Sequence, residues 1–126
     1  MSVEFENGLL RIIRTADPYG LRVEGAVDHS TVTVFGESLE RIVKATRQDV
    51  HADLGGVRFI DVAGVRTLVS IAGRLEDGRA LVLDPVPWHV RHLLHLAGWD
   101  AAPGLRLPRS RDGAPGEDGG RAAGGD

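Results

Sequence analysis

The sequence predicts a single α/β domain with a mixed β-sheet of four to five strands and helices packed against it. Its 126 residues, 42% of them hydrophobic, suffice for one modest core but not for two. From residue 1 to residue 108, segments with a strand pattern alternate with segments with a helix pattern. Strands that are joined through helices are expected to run parallel, with right-handed crossovers.

Two antiparallel strands are predicted near the start of the domain. The segments NGLLRIIRT and LRVEGAV are rich in leucine and β-branched residues, and Pro18 and Gly20 between them supply turn geometry. Residues 3–6, which precede these segments, are predicted to add a short leading strand.

Two amphipathic helices are predicted on either side of a central strand. Between Ser30 and about Arg47 the apolar residues recur at the helical period, and the main members of this stripe are Phe35, Leu39 and Ile42. The central strand, within the segment DVHADLGGVRFI at 49–60, alternates until Gly55-Gly56 and ends by delivering Asp61 to a loop. The second helix follows, and its apolar stripe consists of Val65, Leu68, Val69 and Ala72.

The sequence of the last third of the domain predicts a buried strand, a helix and an edge strand. The run RALVLDP at 79–85 is typical of a strand that is covered on both faces. Pro87 suits a first helical turn, and Gly98 suits the end of the helix. The inward stripe of this third helix consists of Val90, Leu93, Leu94 and Ala97. Residues 105–107 predict an edge strand.

Composition argues against several classes of function. The net charge of -3 at pH 7 disfavours a general affinity for nucleic acid. No stretch approaches the roughly 20 apolar residues that span a bilayer, so we predict a cytoplasmic protein without a membrane partner. The chain has no cysteine for a disulfide or a thiolate metal site. Residues 109–126 are rich in glycine and lack apolar periodicity, which predicts a disordered tail.

Three motifs resemble those of the STAS domain family, the anti-sigma factor antagonists. DLGGVRFIDVAGVRTL is similar to the family signature, which is usually close to DLSGVxFIDSSGLxxL. EGAVDHST resembles the family's GxLD turn after the second strand, and DPVPWHVRHLLHLAGWD resembles its NPSPxVRRLLxLTGLD segment. The resemblance covers roughly residues 8–107 and agrees with the strands and helices derived from periodicity. It implies a STAS-like domain at 1–108 that binds other proteins.

The resemblance also implies a phosphorylation switch, from which this chain departs. In the family, the residue after the motif aspartate is commonly a serine that a partner serine kinase, itself the anti-sigma factor, phosphorylates. The phosphate adds a charge of about -2, which opposes a close protein interface. Here Val62 occupies that position and Ala63 follows it, so we expect no phosphosite there. Thr67 and Ser70 are nearby hydroxyls to which a switch could have moved, although a solvated helix face explains both more simply.

The resemblance places the partner-binding surface at one rim of the domain. That surface consists of Asp28, His29, Asp61, Val62, Ala63, Gly64 and Arg66. Both aspartates have a second interpretation as helix caps, because Asp61 precedes the second helix and the segment VDHST precedes the first. The third helix is the alternative contact surface, with Trp88 and Trp99 as aromatic anchors.

Metal binding and catalysis are both disfavoured. The third helix carries His89, His92 and His95, which at about 100° per residue sweep about 120°, too broad for one ion. The chain has no GxSxG, HExxH, P-loop or glycine-rich dinucleotide-binding turn. We therefore predict no enzymatic activity, no metal and no cofactor.

Three functions remain open at this point. The first is a regulatory domain that binds an anti-sigma factor or a serine-kinase-like protein without the phosphoserine switch. The second is a scaffolding STAS-like module that assembles with other such domains, for instance as a homodimer. The third is a sensor of a small molecule or a nucleotide.

Overall fold

The structure is a computed structural model, and it describes residues 2–108. Within these residues the chain forms six strands and three helices. The strands are β1 (Ser2–Glu6), β2 (Leu10–Ala16), β3 (Tyr19–Val27), β4 (Val50–Ile60), β5 (Leu81–Leu83) and β6 (Leu105–Arg106). The helices are α1 (Val32–Lys44), α2 (Val62–Gly73) and α3 (Trp88–Leu96). The predicted tail at 109–126 lies outside the described residues.

The six strands form one mixed sheet in the order in which they occur along the chain. The pairs β1–β2 and β2–β3 are antiparallel, and the pairs from β3 to β6, which are joined through helices, are parallel as predicted. The sheet has more strands than the four to five predicted, because both β1 and the short β6 pair with it. The crossovers from β3 to β6 all step in one direction along the sheet, and crossovers of one hand then place their helices on one face. There α2 packs between α1 and α3.

The apolar stripes of α1 and α2 face the sheet largely as periodicity predicts. Phe35, Leu39 and Ile42 of α1 are fully buried. The buried apolar side chains of α2 are Val65, Leu68, Ile71 and Ala72. Ile71 thus completes the stripe, whereas Val69 packs against the core only in part.

The third helix is shorter than its sequence pattern predicts. Val90 and Leu94 are fully buried, but Ala97 is exposed. The prediction that Ala97 faces inward is wrong because α3 ends at Leu96 and the chain turns away at Gly98, where φ is 73°. Among the described residues no helix is both long enough and apolar enough to cross a membrane.

Gly20 lies inside β3, although the sequence pattern places it in the preceding turn. It pairs with His51 of the parallel neighbour β4, and a β-carbon at Gly20 would come within 1.8 Å of the His51 carbonyl oxygen. The close approach of the two strands therefore requires glycine at this position. The turn itself is made by Asp17 and Pro18.

The strand β4 stays in the sheet over its whole length, although its alternation breaks at Gly55-Gly56 as predicted. Its register against β3 shifts twice, and each shift accommodates one extra residue of β4. Val57, after the first shift, and Ile60, after the second, are buried again. The strand therefore ends with Ile60 in the core, and Asp61 follows it at the edge of the sheet.

The close approach at Gly20 predicts a large difference between two glycine-to-alanine variants. Gly20→Ala should lower the free energy of unfolding by about 3 kcal/mol or more, because β3 and β4 would have to separate. Gly73→Ala is the matched control. Among residues 2–108, no atom outside its own stretch of helix lies within 4 Å of where a β-carbon would stand, and alanine favours the helix by up to about 1 kcal/mol. Urea denaturation measures both, and equal stabilities would contradict the strand packing described here.

Candidate functional site

The ends of β3 and β4 lie side by side and bring the predicted site residues to one edge of the sheet. The amide of Asp61 donates to the Val27 carbonyl oxygen at 3.2 Å, so the loop after β4 starts against the last residue of β3. Asp28 follows β3 directly, and α2 begins directly after Asp61. We call this surface the rim, and its members are Asp28, His29, Asp61, Val62, Ala63, Gly64 and Arg66.

Asp28 organises the loop between β3 and α1. Its Oδ1 accepts hydrogen bonds from the hydroxyl and the amide of Ser30, at 2.7 and 2.9 Å. These bonds, the hydroxyl first, lower the pKa of Asp28 below its ordinary value. The residue directly before α1 is Thr31, and Asp28 caps instead the turn at 28–31 that leads into the helix, where its carbonyl oxygen accepts from the amides of Thr31 and Val32 at 3.0 and 2.8 Å. The Thr31 hydroxyl makes no capping bond and donates instead to the Ala26 carbonyl oxygen at 3.0 Å.

Asp61 is the N-cap of α2, as one of its two interpretations predicts. Its backbone is extended, and its Oδ1 accepts a hydrogen bond from the Gly64 amide at 3.0 Å. A cap of this kind contributes about 1 kcal/mol to stability. The Asp61 side chain is only partly buried, so capping leaves it accessible to a partner.

Gly64 fixes the position of α2 against the sheet. A β-carbon at Gly64 would lie 2.6 Å from Ile60 Cγ1 and 2.9 Å from Val27 Cγ1. The first turn of α2 can therefore pack directly on the ends of β3 and β4 only if this residue is glycine. Gly64 is the buried member of the rim, whereas its neighbours Val62 and Ala63 face solvent.

The first turn of α2 exposes two apolar side chains where the family signature has serines. Val62 is 46% exposed, and Ala63 is exposed as well. The hydroxyl of Thr67 is already engaged, because it donates to the Ala63 carbonyl oxygen at 2.9 Å. Ser70 is exposed farther along the helix.

A groove of about 730 Å³ runs between α1 and α2 and reaches the rim at Ala63 and Arg66. The sequence patterns did not predict it. Its signal in the sequence was Gly36, because a glycine inside a predicted helix costs stability and therefore suggests that another element approaches closely there. A β-carbon at Gly36 would lie 3.3 Å from Thr67 Cγ2 of α2.

Phe59 is a second feature that the sequence patterns did not single out. Its side chain is 50% exposed, although it lies within the motif strand β4. Side chains alternate along a strand and the next residue, Ile60, is buried, so Phe59 points to the sheet face that the helices leave open. It lies close to the rim in sequence, three residues before Val62.

Two of the three histidines of α3 have separate partners, whereas His89 Nε2 is buried and has no hydrogen-bond partner among residues 2–108. The His92 ring stacks on Trp88 with centroids 4.6 Å apart, and His95 Nδ1 lies 3.0 Å from Asp100 Oδ2. The hydrogen bond with His95 lowers the pKa of Asp100. In the part of the chain that the structure describes, no three histidine or carboxylate side chains are grouped to hold a metal ion. Trp99, the other predicted anchor, lies under the Arg66 guanidinium at 5.8 Å and so joins the segment that follows α3 to the rim.

Comparisons with known proteins agree with the motifs and the fold. The family model described as "Mlab, STAS domain" matches residues 11–107. The structure is similar to the crystal structure of an anti-sigma factor antagonist from Mycobacterium paratuberculosis, with a TM-score of 0.60 and 22% identity over 87% of this chain and 86% of that one. That level of identity shows a shared fold. A search of curated proteins gave no match. Because the family model covers most of its length, the chain belongs to the STAS domain family.

Proposed function

We propose that this domain is a regulatory protein that binds an anti-sigma factor or a serine-kinase-like protein through the rim, without a phosphoserine switch. The observation that carries the proposal is the first turn of α2, where Val62 and Ala63 expose apolar side chains at the family's phosphorylation position. Membership of the STAS family, and a fold shared with an anti-sigma factor antagonist, support this class of partner.

The rim is suited to protein binding because its backbone is fixed before a partner arrives. Asp61 caps α2, Gly64 packs against the strand ends, and the Asp28 carboxylate holds its loop through Ser30. A surface that is already ordered loses little conformational entropy on binding. The exposed groups on this frame are apolar at Val62 and Ala63 and charged at Arg66, which suits an interface with an apolar centre and a polar border.

The absence of a hydroxyl at position 62 changes how such a complex is regulated. A phosphoserine there would lie at a helix N-terminus, where free amides and the helix dipole stabilise an anion. Val62 has no atom that accepts a phosphoryl group, so a kinase partner leaves this turn chemically unchanged. Binding then depends on the amounts of the two proteins and on their affinity.

Val62→Asp is expected to weaken partner binding at least tenfold, because it places an unpaired carboxylate in the interface. The melting temperature should change little, because Val62 is exposed and an acidic residue in a first helical turn is favourable. The partner is captured from a lysate of the source organism, identified by mass spectrometry, purified and titrated by calorimetry.

Val3→Asp is the matched control, since Val3 is a valine of similar exposure, 52%, in the edge strand β1. Equal affinity of the two variants would contradict binding at the rim. Capture of only further copies of this chain would contradict the proposed partner class and favour the scaffolding module.

Two substitutions of Asp61 separate its capping role from a contact with the partner. Asp61→Ala should lower the free energy of unfolding by about 1 kcal/mol, whereas Asp61→Asn should leave it nearly unchanged, because asparagine is an equally good N-cap. If the carboxylate contacts the partner, both variants bind more weakly. Chemical denaturation measures the stability of both variants, and calorimetric titration measures their affinity for the partner. If Asp61→Asn binds the partner as tightly as the wild type does, Asp61 serves only as the helix cap.

A further inference from the structure

We infer that the groove between α1 and α2 is a docking site for an acidic helical segment of a partner protein. The inference deepens the proposed function, on which it rests for the existence of a protein partner, by naming the chemistry of the segment that the partner contributes. It is carried by the shape of the groove, by its floor and by the balance of charge along its walls.

The length of the groove matches a short helix. It follows α1 from Val32 to Lys44 and α2 from Ala63 to its C-cap residue Arg74. Thirteen residues of α1 span about 20 Å at 1.5 Å per residue, which is the length of a partner helix of three to four turns. The floor lies where the two helices approach each other beside Gly36, and it includes the buried side chain of Ile71.

A helix fits this groove better than an extended peptide does. The walls are two α-helices whose backbone groups are already paired within each helix, so they offer no row of free amides and carbonyls. An extended segment laid on them would leave its own backbone groups unpaired against an apolar floor. A helix satisfies its backbone internally and presents one face of side chains, which is the helix-in-groove mode of recognition.

The charge of the walls selects an acidic occupant. Four basic side chains line the groove, namely Arg41, Lys44, Arg66 and Arg74, against the two carboxylates of Glu37 and Glu40. Arg41 Nε also lies 3.4 Å from Oε1 of Glu4 in β1, and this third carboxylate offsets part of the positive charge but leaves an excess. Glu40 is already bound by Arg74 Nη2, and Lys44 Nζ lies 3.8 Å from it. Since the whole chain carries a net charge of -3, the excess of positive charge is a local property of this groove.

Two of these cations are placed on the outer ridge of α2. Arg66 and Arg74 lie four residues before and four residues after the exposed Ser70, so all three share one helix face. The Arg66 guanidinium rests on the Trp99 ring and has no carboxylate within ion-pair distance among residues 2–108. Ser70 is therefore a position where a new charge would act directly on the occupant without disturbing the core.

The test uses a fluorescein-labelled peptide of Glu, Ala and Leu at helical spacing, and a second peptide in which every Glu is Lys. Fluorescence anisotropy should show binding of the Glu peptide only, weakening as salt is raised. Ser70→Lys should tighten binding about twofold to fivefold and Ser70→Glu should weaken it by a similar factor. Arg58→Glu is the charge control, because Arg58 is exposed on β4 and does not line the groove.

Equal binding of the two peptides, or the same response to Ser70→Lys and Ser70→Glu, would overturn the inference. So would a double-stranded oligonucleotide that displaces the Glu peptide at equal concentration, because the groove would then serve nucleic acid. Val62→Asp, in contrast, should hardly affect the peptide. If the peptide tests fail while Val62→Asp still weakens partner binding, only the groove inference is wrong. If the peptides bind as expected but no anti-sigma or kinase-like partner is captured, the proposed function is wrong.

Discussion

A β-carbon at Gly64 would lie 2.6 Å from Ile60 Cγ1 and 2.9 Å from Val27 Cγ1, so the backbone of the first turn of α2 packs directly on side chains at the ends of two strands. The rest of the site depends on this contact. It places Asp61 where its carboxylate can cap the helix, and it turns Val62 and Ala63 outward. It also sets α2 beside α1, and the groove between the two helices opens from the same turn.

Much of the fold could be predicted because it depends on local periodicity. The stripe of α1 and the burial of β5 follow from which residues are apolar and how they are spaced. The errors fall where a position depends on a distant part of the chain. Glycine is a residue type typical of turns, which is why the sequence pattern placed Gly20 in one. Its role is set instead by His51, which is 31 positions away and becomes its neighbour only through parallel pairing. Ala97 continues the stripe of α3 in sequence, but the helix ends before reaching it.

The features of the candidate site also differ in how far the sequence could predict them. The N-cap at Asp61 could be predicted, because a cap is made by residues three positions apart. The bonds of Asp28 to Ser30 could not be distinguished from a helix cap, since both use an aspartate two or three residues ahead of its donor. The groove could not be predicted at all, because it depends on how closely α1 and α2 pack at Gly36 and Thr67.

The central claim is that the rim binds its partner without a phosphorylation switch, and it is tested most directly by the affinity of the complex before and after incubation with ATP and Mg²⁺. The Val62→Ser variant, which restores the hydroxyl of the family signature, is treated in parallel. The account predicts that the wild-type chain keeps its mass and its affinity, whereas Val62→Ser is the form open to modification. A wild-type chain that gains the mass of a phosphate, on Thr67 or Ser70, and then releases its partner would contradict the account.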